Sequence, residues 1–145
     1  MSTTVSQGAD LFARHRETLE RAREAIRTRT YYSAFAESPS GKVYGEHAAA
    51  DGKAAFEARR GATFILNQPA TGETVATERS PYGIDLDVRY AAADVDALLA
   101  AAAEALPSWA DAPVTTRVGI ALEALARINA RSFEMAHAVM HTTGQ

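Results

Sequence analysis

The feature that most constrains this chain lies near its end. From Val118 to Met140, apolar residues recur at helical spacing: Val118, Ala121, Leu122, Leu125, Ile128, Phe133, Ala136, Val139 and Met140. Steps of three and four residues gather them on one broad face. The spacing predicts a single helix opening at Thr115 or Thr116. About 25 residues long, it would span about 38 Å. A face of that length must be covered by something. The whole chain has 145 residues, the length of one domain. Its remaining body is too small to cover such a rod. The stripe therefore predicts polypeptide beyond this sequence, with a stand-alone helical adaptor that binds a partner through the 118–140 face as the alternative.

A second helix precedes it. Asp94 is placed as its cap, and Val95, Leu98, Leu99, Ala102 and Leu106 fall on one face. Pro107 is expected to end or kink it. Upstream the period changes from 3.6 to 2. Thr63 to Leu66 and Thr74 to Thr77 read as short strands, with Asn67 to Glu73 as the turn between them. Ile84, Leu86, Val88 and Tyr90 alternate with Asp85, Asp87 and Arg89, the pattern of a half-buried strand. The middle of the chain thus reads as a small antiparallel meander over about 63–90.

The front of the chain is helical. Phe12, His15, Leu19, Ala22 and Ile26 make one stripe of a helix from about Asp10, its expected cap, to about Arg29. The arginines along it alternate with Glu17, Glu20 and Glu24, which reads as a solvated face and not as a nucleic-acid patch. Tyr31, Tyr32 and Phe35 follow; they pack the helix end or line a small pocket. After the Ser38-Pro39-Ser40-Gly41 turn, a helix from about Gly45 to Arg60 is expected, with Gly61 in the left-handed position beyond it. The fold class is α+β: N-terminal helices, a small sheet, then two helices.

No site assembles from these residues. The chain has no cysteine, which excludes disulfides, thiolate catalysis and cysteine-bound metal within it. Lys42 after Gly41 is followed by Val43, so no phosphate loop forms. No serine sits in a GxSxG turn and no GxGxxG follows a strand. His137 and His141 have a zinc-ligand spacing, but Ala138 stands where a metalloprotease needs glutamate. Asp85 and Asp87 share a strand face, where paired carboxylates more often keep a sheet edge soluble than catalyse. The net charge of −3 gives no reason to expect nucleic acid or an anionic membrane as partner. No secretory h-region or membrane-length apolar run occurs, so a cytoplasmic protein is expected. Catalytic, cofactor-binding and metal-binding residues are therefore all expected to be absent from this chain.

Several stretches, taken in order, resemble a known superfamily. Pro69-Ala70-Thr71-Gly72-Glu73, then Ala93-Asp94-Val95-Asp96-Ala97, Trp109, Arg117 and Thr143-Gly144-Gln145 look like the front end of the aldehyde dehydrogenases, with Gln145 where those have lysine. The long N-terminal part, with Thr30 to Phe35 and Val43-Tyr44-Gly45-Glu46, is similar to the phenylacetic acid degradation protein N group, as are Ser80-Pro81-Tyr82-Gly83 and His137 to Gln145. The resemblance implies two parts: a helical extension over 1–62, and the start of an aldehyde dehydrogenase-like domain over 63–145, truncated at 145. It implies NAD- or NADP-linked oxidation of a ring-opened, CoA-linked semialdehyde by full-length relatives, which also form homo-oligomers. Their nucleophilic cysteine, glutamate base, oxyanion donor and phosphate-binding turn come later than Thr143-Gly144. No catalytic residue carries over, and this chain alone is expected to bind no cofactor. Its expected partner is the missing C-terminal region of the same protein.

Overall fold

A computed structural model describes the backbone of residues 2–76 and 78–145, and the side chains of residues 8–76 and 78–145. In chain order the elements are α1 (Ser2–Arg14), α2 (Arg16–Thr28), α3 (Gly41–Tyr44), α4 (Ala48–Glu57), β1 (Thr63–Phe64), β2 (Ala70–Val75), β3 (Arg89–Ala93), α5 (Val95–Ala110), α6 (Val114–Ala130) and α7 (Ser132–Thr143). The α+β class is as expected. The chain forms two compact units, one of residues 1–45 with 108–130, the other of residues 46–107 with 131–145.

In the first unit, α1 packs along α6. The approach is close because two glycines face the other helix. A Cβ on Gly8 would lie 2.3 Å from Thr116 Cγ2, and one on Gly119 would lie 2.5 Å from the Phe12 nitrogen. The single N-terminal helix expected from Asp10 is instead two, and Asp10 lies inside α1 and caps nothing. The break falls at His15, whose ring reaches Glu123 on α6. Phe12, His15, Leu19 and Ala22 are half-buried as their spacing requires, whereas Ile26, at the far end of the stripe, is 78% exposed.

In the second unit, α4 packs on α7. Gly52 makes this possible, since a Cβ there would lie 2.3 Å from Phe133 Cβ. The helix expected over 45–60 begins only at Ala48, after the separate short α3. Gly61 does take the left-handed conformation, at φ 70°. Its N–H donates to the Leu86 carbonyl at 2.9 Å.

The sheet corrects the meander. Its order is β1-β3-β2, and β1 pairs with β3 in parallel, Thr63 opposite Arg89 and Phe64 opposite Tyr90. Only β2 and β3 are antiparallel. Pro69 to Glu73 is not a hairpin turn. From Ala70 to Thr74 the chain advances four residues while β3 advances two, so Thr71-Gly72-Glu73 is a bulge, with Gly72 at φ 90°. The strand expected at 84–90 begins at Arg89; before it only Asp85 bridges, to Arg79. The alternation still predicts burial: Leu86 is buried, Ile84, Val88 and Tyr90 are half-buried, and Asp85, Asp87 and Arg89 are exposed. Thr77, expected in a strand, lies outside the described residues.

The long terminal helix is also corrected. It breaks at Arg131 (φ −112°, ψ 17°) into α6 and α7, which belong to different units. The stripe expected on one helix is therefore divided between two helices. Part of the stripe is covered within each unit, but Leu125, Ile128, Met135 and Val139 remain exposed. Asp94 caps α5 as expected, its carboxylate accepting the Ala97 N–H at 3.0 Å. Pro107 does not end α5, which runs on to Ala110. Of its expected apolar face, Leu98 is half-buried, while Val95, Leu99, Ala102 and Leu106 are exposed. Among the described residues only Phe56 and Leu86 are fully buried hydrophobic side chains.

Candidate functional site

The densest polar and aromatic cluster lies in the second unit. The turn 80–83, α4 and the end of α7 build it. His141 is buried and lies flat against Phe56, centroids 4.9 Å apart and planes 7° apart. Tyr82 meets the same imidazole edge-on at 5.8 Å. Ser80 Oγ is 2.9 Å from His141 Nδ1 and accepts the Tyr82 N–H at 3.2 Å. Ser80 thus bonds both the backbone of its own turn and the imidazole. A serine beside a histidine is the start of a nucleophile and base pair. Here the serine is only 3% exposed, so no substrate reaches it, and the geometry ties a turn to a helix end. The sequence gives no sign that Ser80 and His141 meet, although both stretches stand out in it.

The two histidines of α7 lie side by side. His137 also stacks on Phe56, at 6.0 Å, and the two imidazoles lie 6.5 Å apart within 16° of parallel. Stacked planes do not point their nitrogens at a common point, and Nδ1 of His141 is occupied by Ser80. Among the described residues no group of three or more His, Cys, Asp or Glu is placed to hold a metal ion.

The aspartate pair is also separated in role. Asp85 binds Arg79 at 2.7 Å, while Asp87 takes a left-handed conformation and lines an open hollow with Gly61, Thr74, Ala76 and Arg89. The aromatic trio does not converge on a pocket: Tyr31 donates to Glu37 at 2.7 Å, and Tyr32 lies 5.3 Å beneath the Arg21 guanidinium. Along the first two helices, arginines meet carboxylates. Arg27 binds Glu24, Arg21 binds Glu17, and Arg14 binds Glu123. Glu123 also takes His15 Nε2 at 2.8 Å and Arg127 Nε at 2.9 Å. The His15 bond first, then Arg127, hold its carboxyl down at about 2, against an ordinary 4.5.

A dinucleotide needs a strand that runs into a helix through a glycine-rich turn, with free N–H groups for the pyrophosphate. The junction of that kind among the described residues is β3 to α5, through Ala93-Asp94. It has no glycine. The Asp94 carboxylate already occupies the helix N-terminus, and Asp96 adds a second negative charge beside it. The residues present do not fit a bound dinucleotide.

What the fold defines is an α+β segment in which the Ser80–His141 contact ties a turn to a helix end. No family model matches the chain, and no curated protein does. Among solved structures it is similar to an NAD-dependent aldehyde dehydrogenase from Burkholderia multivorans, at 57% identity and a TM-score of 0.85. The likeness covers 93% of this chain and 24% of that one, so the chain spans about a quarter of that enzyme's length. At this identity the likeness is one of sequence as well as fold. It supports the aldehyde dehydrogenase superfamily for this chain, and the α+β architecture matches that part of the enzyme. Among the described residues no helix is long and apolar enough to cross a membrane.

Proposed function

We propose that this chain is the N-terminal part of an aldehyde dehydrogenase-like oxidoreductase, inactive by itself. The observation that carries the reading is the 57% identity over 93% of the chain to an NAD-dependent aldehyde dehydrogenase. Residues 1–62 act as a helical extension and 63–145 as the opening of the dehydrogenase domain, both serving to support a catalytic body supplied by further polypeptide. The exposed apolar side chains of α5, α6 and α7 are the surface that body would cover.

The complete enzyme, on this reading, uses NAD or NADP, works in the cytoplasm as a homo-oligomer, and belongs with the phenylacetic acid degradation protein N group. Its substrate is a CoA-linked, ring-opened semialdehyde of phenylacetate catabolism. Sequence stretches such as Ser80-Pro81-Tyr82-Gly83 support this narrower assignment. The test is to assay a full-length polypeptide carrying this segment against a CoA-linked semialdehyde and simple aldehydes, with the 145-residue chain alone beside it. The reading expects reduced cofactor only from the longer protein, fastest with the CoA-linked substrate. Turnover by the short chain would refute it; preference for simple aldehydes would refute the narrower assignment.

A further inference from the structure

Helix α6 has two opposite faces, both within the first unit. On one, Thr116, Gly119 and Glu123 meet Gly8, Phe12 and His15. On the other, Val114, Arg117, Ala121, Leu125 and Ile128 follow one another at steps of three, four, four and three. Val114, Leu125 and Ile128 are 65%, 48% and 50% exposed.

Arg117 is the one charge in that apolar stripe. It is half-buried, and among the described residues no ion pair, hydrogen bond or aromatic ring engages its guanidinium. The other two charged side chains of α6, Glu123 and Arg127, bind each other. Arg117 also stands in the first turn of α6, which holds no acidic residue, and the helix dipole opposes a cation at that end.

We propose that the polypeptide which covers this face in the complete protein brings an aspartate or glutamate side chain to Arg117. The proposal rests on the dehydrogenase reading above, in which this chain spans about a quarter of the enzyme it resembles. Covering the stripe takes the guanidinium out of water, and a charge buried without a counter-charge opposes the docking. A carboxylate offsets that cost, because its two oxygens accept in parallel from the planar guanidinium. The pair also sets the register of the covering segment, which apolar contacts leave loose.

The test uses a full-length polypeptide carrying this segment, with the 145-residue chain beside it. Phenylglyoxal, which modifies accessible guanidinium groups, is followed at Arg117 by peptide mass spectrometry. Modification is expected in the short chain and about tenfold more slowly in the longer protein. Arg117→Lys then places an amine at the same position, and a carbodiimide joins that amine to a touching carboxylate. The expected crosslink runs to an Asp or Glu outside residues 1–145. Equal modification of both proteins would overturn the inference. So would a crosslink confined to residues 1–145, or none from the folded Arg117→Lys protein. Protection of Arg117 in the short chain by inorganic phosphate would overturn it too, by assigning the guanidinium to a free anion. Aldehyde oxidation is assayed on the same longer protein. Oxidation with Arg117 unprotected removes this contact alone, whereas a folded longer protein that oxidises no aldehyde removes the dehydrogenase reading.

Discussion

Ser80 Oγ and His141 Nδ1 lie 2.9 Å apart, both buried, though the residues are 61 positions apart in the sequence. The contact joins the turn before β3 to the last turn of α7. Pro81 reinforces it, lying 3.1 Å from where a Cβ on Gly144 would stand. Removing the hydroxyl with Ser80→Ala should cost about 1 kcal/mol. Combined with His141→Phe, which keeps the stack on Phe56, it should show a coupling of at least about 0.5 kcal/mol in a double-mutant cycle read by urea unfolding. Additive losses would mean the two groups do not interact.

Burial differs sharply between helices, and substitution should report it. Phe56 is 6% exposed and stacked by two histidines, so Phe56→Ala should lose about 3–5 kcal/mol. Leu99 is 65% exposed, so Leu99→Ala should stay within about 0.5 kcal/mol. Thermal unfolding of both variants checks the contrast.

Two helix contacts depend on missing side chains. A Cβ at Gly52 would meet Phe133, and one at Gly119 would meet the backbone of Phe12 and Gly8. Although alanine favours helix, Gly52→Ala and Gly119→Ala should each destabilise by about 1–3 kcal/mol. Hydrogen exchange should show the first loosening α4 and α7, and the second loosening α1 and α6.

Glu123 predicts an acid-sensitive contact. Its carboxyl titrates at about 2 in the folded chain, below the ordinary 4.5, because His15, then Arg127, bind the charged form. A depressed carboxyl contributes stability above its unfolded value and loses it as pH falls through the folded one. The contact between α6 and the start of α2 should therefore weaken from about pH 4.5 down to about 2. Glu123→Gln should flatten that part of the profile in a pH series of thermal melts; an unchanged slope would contradict the assignment.

The parts of this fold that were legible in sequence are local. Asp94 caps α5 as its place before Val95 suggests, Gly61 takes the left-handed conformation, and Ile84 to Tyr90 alternate in burial. The misreadings have one physical origin. Helical periodicity runs unbroken through His15 and Arg131, and neither position is a glycine or proline. The break at His15 lies where its ring meets Glu123, 108 residues away. The parallel pairing of β1 with β3 is likewise non-local, and nothing in either strand's pattern announces it. The Ser80–His141 cluster was invisible for the same reason. Its two halves are recognisable stretches, but spacing along a chain does not say which stretches touch.

The dehydrogenase reading is tested most directly by replacement. The matching quarter of the Burkholderia multivorans aldehyde dehydrogenase is exchanged for this chain, and NADH formation from an aldehyde is followed in the purified hybrid. At 57% identity the account predicts a folded hybrid that turns over within about tenfold of the parent. A folded hybrid that binds NAD and forms no NADH would contradict it.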